Sequence, residues 1–218
     1  MEIISRFLAL TLIVILLPIL ILISILCIIF QGFPIIFKQK RVGYNYKTFE
    51  IYKFRTMSKN DGGFITIHND IRITKIGKLL RSTKIDEIPQ LFNILKGDMR
   101  FIGPRPEVPN YFEKSTFQFL MDVKPGISDY ASILFRDEEK ILERIGGNNP
   151  YLQLLPIKLE LAEYYSRKKN ILLDTKLVFI TIISIFFPNY SSRTLIAPSL
   201  VVDLPETEDF LKKFIYLN

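Results

Sequence analysis

The run from Phe7 to Phe30 contains no charged residue. At ~1.5 Å per helical residue, about two dozen residues reach roughly 36 Å, enough to cross a bilayer core. A cleaved signal peptide would have an apolar core of only about 7–15 residues ending in small residues at a cleavage site. This run is longer and has no such site, so it reads as a retained membrane helix. Pro18 sits in its middle. A proline there removes one backbone hydrogen bond and clashes with the preceding turn. Two topologies follow: a kinked span, or a re-entrant hairpin with both ends on one face. Arg6 precedes the run, and Lys38, Lys40 and Arg41 follow it. Positive residues collect on the cytoplasmic side, so positive flanks at both ends favour the hairpin.

Outside that run the sequence reads as an ordinary globular one, and 218 residues fit one domain plus an anchor. The formal charge of +7 favours acidic partners such as nucleic acid, anionic lipid or phosphorylated substrates. Cys27 is the single cysteine and lies inside the apolar run, so no intrachain disulfide forms. His68 is the single histidine, which excludes a multi-histidine metal site. It follows the alternating stretch Phe64–Ile67 and reads as a surface residue of a strand or loop.

Gly32 and Pro34 end the anchor, and the aromatic-rich alternation Phe49–Phe54 predicts a strand. Asp61-Gly62-Gly63 is a turn signal. Thr74–Arg81 predicts a helix with Ile76, Leu79 and Leu80 apolar and Lys75, Lys78 and Arg81 on a basic face. Gln90–Lys96 predicts a second, stopped by Gly97. Gly103-Pro104-Arg105-Pro106 must be a stiff, irregular loop, and Lys124-Pro125-Gly126 another turn. Helices are expected around Asp137–Ile145 and Ile157–Lys168. Val178–Phe187 is too short to span and suits a buried helix or the membrane interface. The tail after Pro198 carries no clear signal.

Chemistry concentrates between Arg81 and Arg105, where Asp86, Glu87, Asp98 and Arg100 also lie beside glycines and prolines. The adjacent carboxylates Asp86 and Glu87 suit a Mg²⁺ ion, which prefers hard oxygen ligands and substrate phosphates. Arg81 and Arg105 offer planar forks of donors for phosphate. A purely structural reading stands beside this one: Asp86 as N-cap of the following helix, Glu87 favoured by its dipole, and Pro89 tolerated in its first turn. The two readings are compatible, because a carboxylate at a helix N-terminus stays ionised, as a nucleophile must.

These residues lie in blocks that resemble the bacterial sugar transferase family, the monotopic phosphoglycosyl transferases. The blocks are FKQKRVG at Phe37–Gly43, FEIYKFRTM at Phe49–Met57, DIRITKIGKLLR at Asp70–Arg81, DEIPQLFNILKGDM at Asp86–Met99, IGPRP at Ile102–Pro106 and, more loosely, KPGIS at Lys124–Ser128. The resemblance implies that Asp86 is the nucleophile and Glu87 its partner in a Mg²⁺-bound site. It implies that Arg81 and Arg105 contact substrate phosphates, and that Pro18 bends the anchor into a re-entrant hairpin. Asp129-Tyr130-Ala131-Ser132-Ile133 stands where larger members show a Thr-Gly-Trp type segment, so sugar preference does not transfer. Serine is common in the family where this chain has Arg100.

The expected architecture is α+β, mostly helical, with a cytoplasmic catalytic domain on an N-terminal re-entrant membrane helix hairpin. Residues 1–36 form the anchor, 37–190 the catalytic domain and 191–218 an unassigned tail, the minimal form of the family. The implied reaction moves a sugar-1-phosphate from a UDP-sugar to polyprenyl (undecaprenyl) phosphate, releasing UMP, as the first membrane step of a surface glycan such as exopolysaccharide or lipopolysaccharide. Its setting is the cytoplasmic face of the bacterial inner membrane, in contact with membrane lipid and with no nucleic acid partner; a homodimer is allowed. Two rivals remain at this point: a membrane-tethered scaffold with a basic face, in which Asp86 is dispensable, and a different phosphotransferase acting on a lipid phosphate.

Overall fold

The computed structural model describes residues 2–58, 70–186 and 204–214. The Asp61-Gly62-Gly63 turn, the Phe64–Ile67 stretch and His68 lie outside them.

Helix α1 (Glu2–Gln31) runs through Pro18 as one continuous element, and a chain reversal at Pro18 is not shown. It is long and apolar enough to cross a membrane. Its buried residues, Ala9, Ile13, Leu20, Ile23 and Cys27, recur at helical spacing and form one stripe against the globular body. Ala9 and Ile13 pack with Leu91 and Ile94, while Leu20, Ile23 and Cys27 pack with Phe54 and Leu80. Most of its other large side chains, Phe7, Val14, Ile21 and Phe30 among them, are exposed.

Both ends of α1 are tied to that same body. Glu2 pairs with Lys124 at 2.9 Å. At the other end Arg55 closes the helix, donating to the carbonyls of Gln31, Gly32 (2.7 Å) and Phe33 (3.2 Å). A guanidinium there satisfies carbonyls that have no intrahelical donor and complements the negative end of the helix dipole.

Strands β1 (Ile36–Val42) and β2 (Thr48–Phe54) form an antiparallel hairpin in which Ile36 faces Phe54 and Val42 faces Thr48. Strand β2 is the element predicted from Phe49–Phe54. Strand β1 was not legible, because Lys38, Gln39, Lys40 and Arg41 interrupt the apolar alternation.

Helix α2 (Lys75–Ser82) starts at Thr74, whose hydroxyl accepts from the Gly77 amide at 2.9 Å. It buries Leu80 but leaves Leu79 exposed, so the apolar stripe expected there is narrower than the spacing implied. A 3-10 turn (Ile85–Gln90) leads into α3 (Leu91–Lys96), which ends at left-handed Gly97 as expected.

Strands β3 (Arg100–Ile102) and β4 (Gly126–Ser128) pair in parallel. Gly103 and Gly126 lie so close that a Cβ on Gly126 would sit 2.2 Å from the Gly103 amide nitrogen. Helices α4 (Tyr130–Leu134), α5 (Glu138–Ile145), α6 (Tyr151–Lys168), α7 (Ile171–Phe186) and α8 (Pro205–Phe214) complete the fold. Leu134, Leu154, Leu161, Tyr165, Leu177 and Leu211 form their shared core.

Helix α6 begins six residues before the expected Ile157 and runs through Pro156, its sixth residue. Helix α7 is longer than the apolar run suggested. It buries Leu177 and Ile180 and leaves Ile171, Leu172 and Phe179 exposed, so apolar side chains lie on both its packed and its open faces. The described part of the tail packs into the main core through Leu204 and Leu211.

Candidate active site

The turn between α2 and α3 places the paired carboxylates. Lys84 adopts a left-handed backbone (φ 59°), and the chain then coils into the 3-10 turn that carries Asp86 and Glu87. Asn93 locks this segment to the neighbouring strand. Its amide donates to the Glu50 carbonyl (2.7 Å) and its oxygen accepts from the Tyr52 amide (3.1 Å), fully buried. Tyr52 precedes Lys53, so Asn93 sets the register between Lys53 and the carboxylates.

Asp86 is not an N-cap. Lys84 holds that position, with no side-chain cap bond, and Asp86 lies inside the 3-10 turn. It is only 6% exposed, and its Oδ1 is buried without a hydrogen-bond partner. A capping carboxylate would accept a backbone N–H; an orphaned buried oxygen calls for another explanation, catalytic use among them. Burial pushes the Asp86 carboxyl above its usual range and Glu87 reinforces the rise, while Lys53 pulls it down. The result is a carboxylate more basic than usual, with a nearby cation to favour its ionised form.

Glu87 is held very differently. Its Oε1 accepts from Lys53 Nζ at 2.8 Å and from Arg105 at 2.6 Å. Burial opposes its charge, but Arg105 and Lys53 outweigh that and hold it well below the usual carboxylate range. Two adjacent carboxylates are thereby split into a permanent anion and a basic one, the pattern by which neighbouring acids take separate roles.

Arg105 sits in the Gly-Pro-Arg-Pro loop, anchored at both sides. Its amide donates to Asp129 Oδ2 (3.1 Å), while the other oxygen of Asp129 accepts from the Ser132 amide (2.7 Å) and caps α4. Just beyond, Glu107 pairs with Arg41 (3.5 Å), accepts from its neighbour's amide at Val108 (2.8 Å) and receives the Tyr151 hydroxyl. Tyr151 in turn accepts from Lys158 (3.2 Å), which pairs with Glu138 (3.2 Å). The loop is thus gripped from β1, α4 and α6, and proline stiffness is only part of why Arg105 stays in place.

Asp86, Glu87, Arg81 and Arg105 line a single cleft of about 1890 Å³. Arg81 is there but does not touch the carboxylate pair; it donates to Glu139 on α5. Arg100 is turned away, 3.8 Å from Asp174, and neither it nor Asp98 lines the cleft. Pro18 is likewise remote from it, although Leu12 and Leu16 of α1 form part of its wall. Lys53 belongs to a segment that the family resemblance already placed on this face, whereas Glu107, Glu138, Glu139, Tyr151 and Lys158 were not singled out in the sequence. No spacing rule marks them, because they reach the cleft from strands and helices far apart in the chain.

The carboxylates of the cleft are hard oxygen donors of the kind Mg²⁺ prefers. Among the described residues no cluster of three or more carboxylates, histidines or cysteines could cage a metal. Mg²⁺ does not require one; it commonly keeps several waters and binds one or two carboxylates plus substrate phosphates. The orphaned Asp86 oxygen meets that need, whereas Glu87 Oε1 is already engaged by two cations. The residues therefore fit an ion that arrives with a phosphate ligand.

The family model for bacterial sugar transferases matches residues 1–188. The chain is 40% identical over 158 residues to the Klebsiella pneumoniae UDP-glucose:undecaprenyl-phosphate glucose-1-phosphate transferase, covering 68% of this chain and 32% of that protein. It is 36% identical over 157 residues to the Aeromonas hydrophila UDP-N-acetylgalactosamine-undecaprenyl-phosphate N-acetylgalactosaminephosphotransferase, covering 68% of this chain and 34% of that protein. Over 156 residues it is 37% identical to the Bacillus subtilis (strain 168) uncharacterized sugar transferase EpsL, covering 69% of each. The chain spans about a third of the length of the first two relatives. The family match runs from the apolar helix past every residue of the cleft described above, and on that extent the chain belongs to the bacterial sugar transferase family.

Proposed function

We propose that this chain transfers a sugar-1-phosphate from a UDP-sugar to undecaprenyl phosphate at the cytoplasmic face of the membrane, releasing UMP, through a phosphosugar ester on Asp86. The observation that carries this reading is the asymmetric carboxylate pair. Asp86 is buried, basic and unpartnered at Oδ1, while Glu87 is neutralised by Lys53 and Arg105. The related proteins' names supply the reaction class, but they differ in sugar, N-acetylgalactosamine in one and glucose in another. No single sugar is proposed.

In this reading Asp86 Oδ1 attacks the phosphorus that bears the sugar. A P–O bond to the carboxylate forms, the P–O bond to UMP breaks, and UMP leaves with its electron pair. The phosphate oxygen of undecaprenyl phosphate then attacks the same phosphorus and restores the Asp86 carboxylate. Arg105 and Arg81 orient the phosphates and offset their charge, as preorganised donors do in phosphoryl transfer. Glu87 holds Arg105 and Lys53 in place. A bound Mg²⁺ at Asp86 supplies Lewis-acid neutralisation of phosphate charge. Two anionic substrates use one site in turn, which avoids their mutual repulsion.

The covalent route makes a quantitative expectation. Enzyme mixed with its UDP-sugar and Mg²⁺, without any lipid acceptor, releases UMP in a burst of at most about one equivalent per active site. Intact mass spectrometry then finds the phosphosugar on the peptide containing Asp86. A panel of UDP-sugars identifies the donor. No UMP and no adduct until the lipid is added would replace this route with direct transfer in a ternary complex.

Membrane placement rests on α1 and on the exposed apolar side chains of α7. Both ends of α1 bond to one globular body, through Glu2–Lys124 and Gln31–Arg55, and positive residues flank both ends. A straight crossing would separate those ends by the bilayer. Cysteine placed at Glu2, with Cys27 replaced by serine, is expected to resist an impermeant maleimide added to intact cells. Labelling from outside overturns the one-sided topology.

A further inference from the structure

Several cations of the cleft are held by carboxylates. Arg41 is paired with Glu107, Lys53 and Arg105 with Glu87, Lys158 with Glu138, and Arg81 with Glu139. A phosphoryl ligand that engages one of these paired cations competes with the carboxylate already bound to it. Which pair yields is decided by burial. The Glu87 and Glu107 side chains are 13% and 8% exposed, and Lys158 is 11% exposed. Withdrawing one partner from such pairs leaves a buried charge uncompensated, which is strongly unfavourable. Arg81 and Glu139 are 27% and 31% exposed. Here both partners keep access to solvent, and a pair of that kind exchanges at little cost.

The local structure is built for that exchange. Arg81 lies in the last turn of α2 and Glu139 in the first turn of α5, so their ion pair joins elements on two sides of the cleft. Glu139 does not depend on Arg81 for its charge, because a carboxylate in the first turn of a helix is favoured by the helix dipole. Arg81 also lies near the Thr56 hydroxyl at 3.4 Å. Neither group is stranded when the pair opens.

We propose that Glu139 is an internal counter-anion which a substrate phosphate displaces from Arg81, so that Glu139 sets how tightly the cleft holds phosphoryl ligands and how readily UMP leaves. The inference rests on the phosphate-binding reading of this cleft given above. Glu139 touches no reacting atom in it; it acts through Arg81. Its effect is to weaken the ground-state binding of every phosphate equally. In a reaction that must empty the site of UMP before the lipid phosphate enters, that weakening favours turnover.

The test is calorimetric binding of UMP and of inorganic pyrophosphate to the full chain in nanodiscs, for wild type, Glu139→Gln and Glu143→Gln. Glutamine keeps the shape of Glu139 and removes its charge. Glu143 lies one turn further along α5 and does not line the cleft, so its variant controls for charge at a distance. Glu139→Gln is expected to bind both probes about five- to tenfold more tightly. UMP is expected to become a stronger product inhibitor by a similar factor. Glu143→Gln should stay within about twofold of wild type, since exposed charges farther off are screened. Unchanged or weaker binding by Glu139→Gln overturns the proposal while leaving the phosphate site intact. Equal tightening in Glu143→Gln also overturns it, in favour of a general field effect. If no variant binds either probe, the phosphate-binding reading itself fails and this inference with it.

Discussion

Asp86→Asn is expected to lower UMP release by on the order of 10³-fold or more, the scale of losing a nucleophile, and to eliminate the phosphosugar adduct. The same substitution should leave folding and membrane association unchanged. Asparagine matches aspartate in shape, so the 3-10 turn between Lys84 and Leu91 keeps its packing. Asp86 caps no helix, so no backbone N–H loses its acceptor. Its carboxylate is buried with an unpartnered oxygen, and removing a buried charge relieves desolvation that the folded protein otherwise bears. The melting temperature of the variant should therefore match or exceed that of wild type. Burst kinetics and a thermal melt on the same preparation separate the two effects. Near-wild-type UMP release would remove Asp86 from the nucleophile's role. A large drop in melting temperature would show instead that Asp86 serves the fold, as the capping reading of the sequence once allowed.

Arg105→Lys is the second large effect. The substitution keeps the charge and loses the planar fork. Arg105 has one hand on Glu87 at 2.6 Å and lines the cleft beside Asp86. The pairing with Glu87 raises its own affinity for the proton still further, so it is a cation under all working conditions. A lysine can satisfy Glu87 or a phosphate oxygen, but it cannot present two parallel donors. A loss of about 10²-fold in kcat/KM is expected, the magnitude of removing one preorganised donor from a transition state. Arg100→Ser supplies the contrast. Arg100 points to Asp174 outside the cleft, and serine is what the family commonly carries there, so its activity should remain within about threefold. Steady-state kinetics on both variants decide the matter. The reverse order of effects would relocate the phosphate contacts.

The residues that carry the proposed chemistry were legible early because they are close in sequence. Asp86 and Glu87 are adjacent, and Arg81 and Arg105 lie within one short block of glycines and prolines. The strand at Phe49–Phe54, the helix from Thr74 to Arg81 and the stop at Gly97 were equally legible, since alternation, apolar residues at helical spacing and a terminal glycine are local signals. Strand β1 was hidden by its charged residues, and the start of α6 by Pro156, where composition points away from the element that forms.

The sequence by itself determined that an uncharged helix leads into a basic globular domain, and that a carboxylate pair lies between two arginines. Those facts depend on residue type and on neighbours a few positions away. Only the tertiary structure decided what each group does there. It left Asp86 without a partner at Oδ1 and gave Glu87 two cations. It turned Arg100 toward α7, and it set Glu139 against Arg81 across 58 positions of chain. Ionisation and pairing follow from burial and from distances of a few ångströms, and contacts between residues far apart in the chain exist only once the helices have packed.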